Sequence, residues 1–180
     1  AFRKRGRPRL FFGISAGCMD SMVNKYTANK RLRSDDAYTP DGRPDMRPEY
    51  PSIVYTQILK KLYPDVPVVL GGIEASMRRL SHYDYWQDRL KKSILCESGA
   101  DMLIYGMGEK PICELVRRLT ALCDNQDGVI SSSDIHSPAL SSIPQTAYLT
   151  RKYESDENDI TLYSHEECLA DKKKQATNFR

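Results

Sequence analysis

None of the five cysteines in this 180-residue sequence stands at a spacing that builds a metal centre. Neither C-x-x-C nor C-x-x-x-C-x-x-C occurs, so the cysteines predict no zinc or iron–sulfur framework. His136 and His165 have no partners at metal-ligand spacing either. The sequence therefore predicts that this chain holds no metal of its own. An odd number of scattered cysteines is typical of a reducing compartment, and we predict a cytoplasmic protein.

Long apolar runs, a signal peptide and a large net charge are absent as well. No apolar run approaches the length of a membrane span, so we predict no membrane partner. The formal net charge of +3 makes nucleic acid a poor candidate partner, although residues 3–9 and 172–174 are basic. A hydrophobic content of 40% and a charged content of 28% fit one globular domain. Because the chain starts at Ala1 with a basic stretch, we interpret it as a piece of a longer protein.

Two short apolar runs, each too brief for a helix, lead directly into glycine pairs. Val66–Leu70 precedes Gly71-Gly72, Met102–Tyr105 precedes Gly106-Met107-Gly108, and helical patterns follow both. In an α/β sheet such loops lie at the carboxyl ends of parallel strands, where ligands bind. Glycine there lets backbone N–H groups come close to a ligand. The alternative is that each glycine only makes a tight strand-to-helix turn.

The order of these patterns predicts an α/β fold with an open, mostly parallel sheet and helices on both faces, flavodoxin-like or cobalamin-binding-domain-like. Strands are expected at 10–15, 66–70 and 102–105, and helices at 53–63, 74–80, 86–98 and from Pro111 onward, with Ser52 as the N-cap of the first helix. We divide the chain into a basic segment (1–9), the α/β domain (10–150) and a C-terminal part (151–180). A hairpin of 145–153 with 159–163 leads into that part, and its helix runs from the capping box Ser164–Glu167 to residue 177.

The inserted loop 24–52 has almost no apolar periodicity and contains four prolines. Loops of this length are usually functional or disordered. Tyrosines and arginines give the loop rigid aromatic and cationic groups. Its low hydrophobicity predicts that order has to come from packing on a partner or on another domain.

The segment from Arg78 to Trp86 concentrates ionisable and aromatic side chains. His82 can act as an acid, a base or a ligand, and Arg78 or Arg79 can clamp a carboxylate or phosphate. The structural alternative is a junction between two helices in which Asp84 is an N-cap, Trp86 lies in the core and His82 is hydrogen-bonded.

An acid closely follows the first glycine of each pair, at Glu74 and Glu109. Either carboxylate can bond a ligand hydroxyl, although an acid at a helix start also stabilises the helix dipole. The glycine loops, these acids and the segment from Arg78 to Trp86 together provide the candidate residues that face a substrate or cofactor. None of them is assigned a catalytic role. The candidates are Ser15, Gly17, Gly71, Gly72, Glu74, Arg78, Arg79, His82, Tyr83, Gly106, Gly108 and Glu109.

Three strings have no generic structural reason to occur together: GISAGCMDSMVN at 13–24, RSDDAYTP at 33–40 and GGIEASMRRLSHYDYW at 71–86. With them the chain resembles the YgiQ-type radical S-adenosylmethionine (SAM) proteins of bacteria over most of its length, less so between 125 and 142. The resemblance implies a cobalamin-binding-type α/β domain followed by a radical SAM barrel. In that barrel a C-x-x-x-C-x-x-C triad holds a [4Fe–4S] cluster, and the cluster cleaves SAM to a radical.

This chain has neither that triad nor the D-x-H-x-x-G string that gives cobalamin its lower axial histidine. The resemblance therefore implies an accessory domain that faces the cavity of a downstream barrel, while the cluster and SAM belong to the parent protein. Gly71-Gly72 matches the glycine pair of cobalamin domains, which is not enough to claim cobalamin. The first strand–helix unit of such a domain is expected to precede Ala1, so that the sheet is incomplete at its N-terminal edge.

Two other functions stay open on the sequence. The chain could be a stand-alone nucleotide- or cobalamin-binding module with no catalytic role. It could also bind nucleic acid through Arg3–Arg9 and the loop 24–52, which predicts an affinity that falls steeply with salt. The substrate, whether a small molecule or a macromolecule, is not indicated.

Overall fold

Four strands form the main sheet of the computed structural model, which describes residues 2–125, 128, 130–153 and 156–179. The strands of the chain are β1 (Phe12–Ser15), β2 (Val68–Gly71), β3 (His82–Asp84), β4 (Arg89–Lys91), β5 (Met102–Ile104) and β6 (Thr146–Ala147). The helices are α1 (Ser21–Lys25), α2 (Pro51–Leu62), α3 (Gly72–Met77), α4 (Ile94–Ser98), α5 (Glu109–Asn125), α6 (Pro138–Ser141), α7 (His165–Ala170) and α8 (Lys172–Thr177). Short 3-10 turns occur at Phe2–Arg5, Pro40–Gly42 and Ser132–His136.

The main sheet has the order β1-β2-β5-β6. β1, β2 and β5 are parallel, and β6 runs antiparallel to β5. β1 forms one edge of this sheet, and β3 pairs with β4 in a separate antiparallel hairpin. The predicted open, mostly parallel sheet is therefore confirmed.

Both faces of the sheet are covered by helices, because successive strand residues point to opposite sides. Leu70 and Leu103 belong to a buried cluster that includes residues of α2, α3 and α4. Val69, Met102 and Ile104 belong to a second cluster that includes residues of α5 and α6. Burial on both sides explains why the central strands read as continuous apolar runs. The predicted helices on both faces are confirmed.

The predicted helix at 86–98 is wrong over most of its length. Residues 82–91 form the β3–β4 hairpin, and Asp88 turns it with a φ of 49°. Asp84 does not cap a helix, since its carboxylate accepts the backbone N–H of Gln87 inside the hairpin turn. Trp86 is half-buried and lies outside both core clusters. Aromatic residues favour strands, and that preference prevails here over the apparent helical spacing. Only the last part is helical, as α4, which Gly99 closes as predicted.

Three smaller predictions also need correction. The N-cap of α2 is Tyr50, while the backbone N–H of Ser52 donates to Glu74. The predicted hairpin of 145–153 with 159–163 does not form, because β6 pairs with β5 instead and residues 159–163 contain no strand. The turn predicted for that hairpin includes residues 154 and 155, which lie outside the described residues. The capping box at the start of the last helix is confirmed, but that helix breaks at Asp171, whose side chain starts a new helix by accepting the N–H of Lys173.

The inserted loop takes its order from contacts within this chain. The buried carboxylate of Asp36 accepts hydrogen bonds from Asn24 Nδ2 at 2.8 Å, Arg47 Nε at 2.9 Å and the backbone N–H of Tyr38 at 2.9 Å. Arg47 also donates to the carbonyl oxygen of Ala16, just beyond β1. These bonds fasten the loop to the turn after β1, whereas the sequence predicted order only from a partner or another domain.

Candidate functional site

The carboxyl ends of β1, β2 and β5 meet at one edge of the sheet and enclose a cavity of about 380 Å³, which we call the glycine cavity. Its walls are mostly backbone and aliphatic side chains. They comprise Gly13, Ile14, Ser15, Val69, Leu70, Gly71, Gly72, Ile104, Gly106, Gly108 and Ile112. The two predicted glycine loops therefore lie together and border one open space.

The two positions of the first loop favour glycine for different physical reasons. Gly72 has a φ of +82°, and a Cβ atom there would lie 2.5 Å from Ser15 Oγ, so the backbone itself requires glycine. Gly71 has an ordinary extended φ of −152°, and a Cβ atom would come no closer than 3.9 Å, to the carbonyl oxygen of Ile104. The fold could hold a side chain at Gly71, so its absence keeps the cavity open.

A larger cavity of about 610 Å³ lies between α1, the loop that follows it, the end of α3 and the β3–β4 hairpin. We call it the aromatic cavity. It is lined by Asp20, Val23, Tyr26, Thr27, Ala28, Arg33, Met77, Arg78, His82, Tyr83, Asp84, Tyr85 and Trp86.

A buried ion pair joins two walls of the aromatic cavity. Arg78 Nη1 donates to Asp20 Oδ2, with side chains 11% and 7% exposed. The other carboxylate oxygen of Asp20 accepts the N–H groups of Met22 and Val23 and so caps α1. Burial acts to lower the pKa of Arg78, but the hydrogen bond and charge of Asp20 outweigh it, so that this pKa is raised. Arg78 therefore stays a cation inside the cavity wall.

Asp84 is the second buried carboxylate in the cavity wall. Its Oδ2 accepts a hydrogen bond of 2.7 Å from Tyr50 Oη. Burial alone would raise the pKa of Asp84, but the bond from Tyr50 and the N–H of Gln87 lower it below the usual value. Burial and the neighbouring Asp84 raise the pKa of Tyr50. Asp84 is thus an ionised acceptor at neutral pH and Tyr50 a neutral donor.

His82 is held as a neutral imidazole. Burial lowers its pKa, and nearby Arg78 and Lys91 add to that effect, although the hydrogen bond with the Leu80 carbonyl opposes it. His82 Nδ1 lies 3.1 Å from the Leu80 carbonyl oxygen, an acceptor, so Nδ1 carries the proton and Nε2 the lone pair. Among the described residues, neither His82 Nε2 nor Arg78 Nε has a hydrogen-bond partner, and both atoms are buried.

The candidates of the sequence analysis are divided between the two cavities. The glycine cavity contains Ser15, Gly71, Gly72, Gly106 and Gly108. The aromatic cavity contains Arg78, His82 and Tyr83. Gly17, Glu74, Arg79 and Glu109 line neither of them.

Those four residues have local contacts of their own. Glu74 is fully buried and accepts the N–H groups of Ser21 and Ser52 at 3.1 and 3.2 Å, so it caps α1 and α2 together. Gly17 faces the ring of Tyr38, which a Cβ atom would approach to 2.6 Å. The guanidinium of Arg79 lies 4.9 Å from the centre of the Tyr105 ring. Glu109 is exposed at the start of α5.

The lining residues of the aromatic cavity that were absent from the predicted candidates include the polar groups of Asp20, Tyr26 and Arg33. Asp20 followed by Ser21 and Met22 is an N-cap signal for a helix, which could have placed α1. Tyr26 was among the aromatic groups of loop 24–52, but nothing in its spacing indicated contact with the β3–β4 hairpin.

The cysteines do not fit an iron–sulfur cluster. Cys18, Cys96 and Cys113 are exposed, Cys123 and Cys168 are buried, and all are free. Within the described ranges no three His, Cys, Asp or Glu side chains come together as metal ligands do. A [4Fe–4S] cluster needs several convergent thiolates, so these residues do not supply its ligands. The described residues that line the glycine cavity include no histidine, so they offer no imidazole as an axial ligand for cobalamin. In the part of the chain that the structure describes, no helix combines the length and apolarity needed to cross a bilayer.

The fold and the two cavities together define an α/β domain with ligand-sized spaces at and beside the carboxyl edge of its sheet. Residues 1–180 match the family model described as Radical SAM N-terminal, and the chain belongs to that family.

Relatives of the chain include UPF0313 proteins of several bacteria. It is 74% identical to the UPF0313 protein of Bacteroides thetaiotaomicron over 181 residues, which covers 99% of this chain and 29% of the relative. It is 64% identical to that of Porphyromonas gingivalis over 182 residues, covering 99% of this chain and 27% of the relative. With the UPF0313 protein YgiQ of Escherichia coli K12 it shares 57% identity over 118 residues, 66% of this chain and 16% of the relative. The chain thus spans less than a third of the length of these relatives, and no solved structure matches it.

Proposed function

We propose that this chain is an accessory domain of a radical SAM iron–sulfur enzyme and that it shapes the substrate or cofactor cavity without holding the cluster. The observation that carries the proposal is the open glycine cavity at the carboxyl edge of the sheet in a member of the Radical SAM N-terminal family. Gly71 supports it, because that position leaves space that the fold does not need. The cluster and SAM are assigned to another part of the parent protein, since the cysteines described here do not converge.

The partner of this edge is a radical SAM barrel in the same parent chain. The relatives are more than three times as long as the matched region, and a barrel of about 250 residues fits that length. A domain over the mouth of such a barrel excludes water from a reactive site and positions the substrate. The radical chemistry is that of the cofactor, and this domain contributes binding and orientation.

The first test asks where the cluster binds. We expect the full-length protein to assemble an iron–sulfur cluster after anaerobic reconstitution, and the 180-residue chain to take up no stoichiometric iron. Iron bound to the isolated chain, with the absorbance of a cluster, would overturn the proposal. Tight binding of cobalamin or SAM by the isolated chain would instead indicate a stand-alone binding module.

A second test asks whether the glycine cavity matters to the reaction. In the full-length protein, Gly71→Leu fills the cavity and Gly71→Ala is the matched control that the backbone tolerates. We expect both variants to keep the iron content of the unmodified protein. Gly71→Leu alone should lower the rate of SAM cleavage, by about tenfold or more, because small misplacements of reacting groups are costly. Equal rates in both variants would show that the cavity does not face the reaction.

A further inference from the structure

We propose that the aromatic cavity binds a small planar aromatic molecule that carries an anionic group, with its ring against the tyrosine and tryptophan side chains and its anion at Arg33. This inference deepens the proposed function, on which its role in substrate recognition rests. The walls and charges of the cavity support the binding itself.

The walls offer stacking surfaces that the fold leaves open. Tyr83 and Tyr85 are 58% and 53% exposed although they line a cavity. Trp86 is fixed between Tyr26, with ring centres 4.7 Å apart, and Tyr85, at 5.7 Å and edge to face. Rings held in place by one another lose little freedom when a ligand stacks on them, so they favour a planar aromatic ligand.

The charge of Arg33 indicates that the ligand carries an anionic group beside its aromatic ring. Arg33 Nε donates to the carbonyl oxygens of Val23 and Tyr26, both at 3.1 Å, which holds the guanidinium at the cavity. No carboxylate of the described residues forms an ion pair with Arg33, whereas Arg78 is paired with Asp20. An arginine with unengaged terminal nitrogens matches a carboxylate or phosphate.

A cationic ligand is the obvious alternative for an aromatic wall, and the structure disfavours it. Lys30 Nζ already lies 4.8 Å from the ring centre of Tyr85 and donates to the carbonyl oxygen of Trp86. A second cation would meet repulsion from both Lys30 and Arg33. An anion is attracted by the same two groups. The carboxylates that line the cavity are already engaged, since Asp20 is paired with Arg78 and Asp84 accepts Tyr50 Oη and the N–H of Gln87.

Two polar atoms on the lining residues remain without partners: the donor Arg78 Nε and the acceptor His82 Nε2. Buried polar groups are almost always hydrogen-bonded, to protein or to water. Heteroatoms on the ligand ring, or water held beneath it, are the partners that this chemistry allows. The ligand class is therefore an aromatic or heteroaromatic anion.

The experiment is calorimetric titration of the full-length protein with probes matched in shape and different in charge. Indole-3-acetate is compared with the neutral indole-3-acetamide, and adenosine monophosphate with adenosine. Cyclohexylacetate keeps the anion and removes the aromatic ring. We expect at least one aromatic anion to bind about tenfold more tightly than its neutral counterpart, and cyclohexylacetate to bind weakly.

Two variants connect that binding to the cavity. Arg33→Gln should abolish the preference for the anion, and the exposed neighbour Arg31, changed to Gln, is the matched control. Tyr83→Leu removes an exposed wall without touching the core and should weaken the charged and neutral aromatic probes alike.

The proposal is wrong if neither aromatic anion binds better than its neutral counterpart, or if Arg33→Gln behaves as Arg31→Gln does. Probe binding that depends on Arg33, together with SAM cleavage that ignores Gly71→Leu, would keep this inference and remove the proposed function. The opposite pair of results would keep the proposed function and remove the inference.

Discussion

Asp36 is the residue on which the order of loop 24–52 depends most directly. Its carboxylate is 5% exposed, and the partner Arg47 side chain is 14% exposed. Asp36→Asn removes the charge and one acceptor oxygen. It leaves the largely buried guanidinium of Arg47 with no carboxylate partner, while the bond from Arg47 to the Ala16 carbonyl remains. Removing one partner of a buried ion pair costs about 3–5 kcal/mol, a large part of the roughly 5–15 kcal/mol that stabilises a typical domain.

The effect of Asp36→Asn depends on pH in a defined direction. Burial acts to raise the pKa of Asp36, but hydrogen bonds from Arg47, the N–H of Tyr38 and Asn24 outweigh it, so that the pKa is lowered in the folded protein. A carboxyl group whose folded pKa lies below its unfolded value of about 3.9 stabilises the fold above that pH. The difference between unmodified protein and variant should therefore be constant near neutral pH and shrink as pH falls through the folded pKa.

Hydrogen exchange followed by mass spectrometry measures this locally in the full-length protein. Exchange through local opening reports the free energy of that opening, so 3 kcal/mol corresponds to about a hundredfold loss of protection in peptides from residues 24–47. Asp35→Asn is the matched control, because it removes the same charge one position away at an exposed side chain. If Asp36→Asn protects the loop as well as Asp35→Asn does, the loop is not held by this carboxylate and our reasoning fails.

Two further pairs of substitutions test the backbone of the first glycine loop and the capping bonds of Glu74. For both pairs the free energy of unfolding is measured by urea denaturation. Gly72→Ala should destabilise the protein by about 1–3 kcal/mol, because its φ is positive and a Cβ atom would meet Ser15 Oγ, while Gly71→Ala should change stability by less than about 1 kcal/mol. Equal losses would contradict that distinction. Glu74→Ala leaves two buried N–H groups without an acceptor and should cost about 3 kcal/mol or more, whereas Glu109→Ala at an exposed helix start should stay within about 0.5 kcal/mol. A Glu74 variant as stable as the Glu109 variant would show that its capping bonds contribute little.

The central strands and the loops that follow them could be predicted from the sequence because both signals are local. A brief apolar run bounded by glycine or proline is a strand signal, and a glycine pair before a helical pattern places the loop at the carboxyl edge. The long helix α5 was predictable for the same reason, since its apolar residues recur on one face. These elements are the ones that create the glycine cavity.

The β3–β4 hairpin could not be predicted from the local sequence pattern. Trp86, Leu90 and Ile94 are spaced as on a helix face, and a strand hairpin of aromatic residues gives an equally good local pattern. The hairpin is selected by contacts from far along the chain. Among them are the bond from Tyr50 to Asp84, 34 positions apart, and the tilted contact between the rings of Tyr26 and Trp86. The spacing of apolar residues within a short segment contains no information about contacts with distant residues.

The division of the candidate site into two cavities follows from the same kind of contact at α3. The helix begins at Gly72 in the wall of one cavity and ends just before Arg78 in the wall of the other. Arg78 is turned toward Asp20, 58 positions away, and Glu74 is turned inward to cap α1 and α2. Since α3 is held at both places, it separates the cavities as a fixed wall. Glu74 lines neither cavity, yet a change there that tilts α3 would alter both, because its carboxylate holds α3 against the starts of α1 and α2.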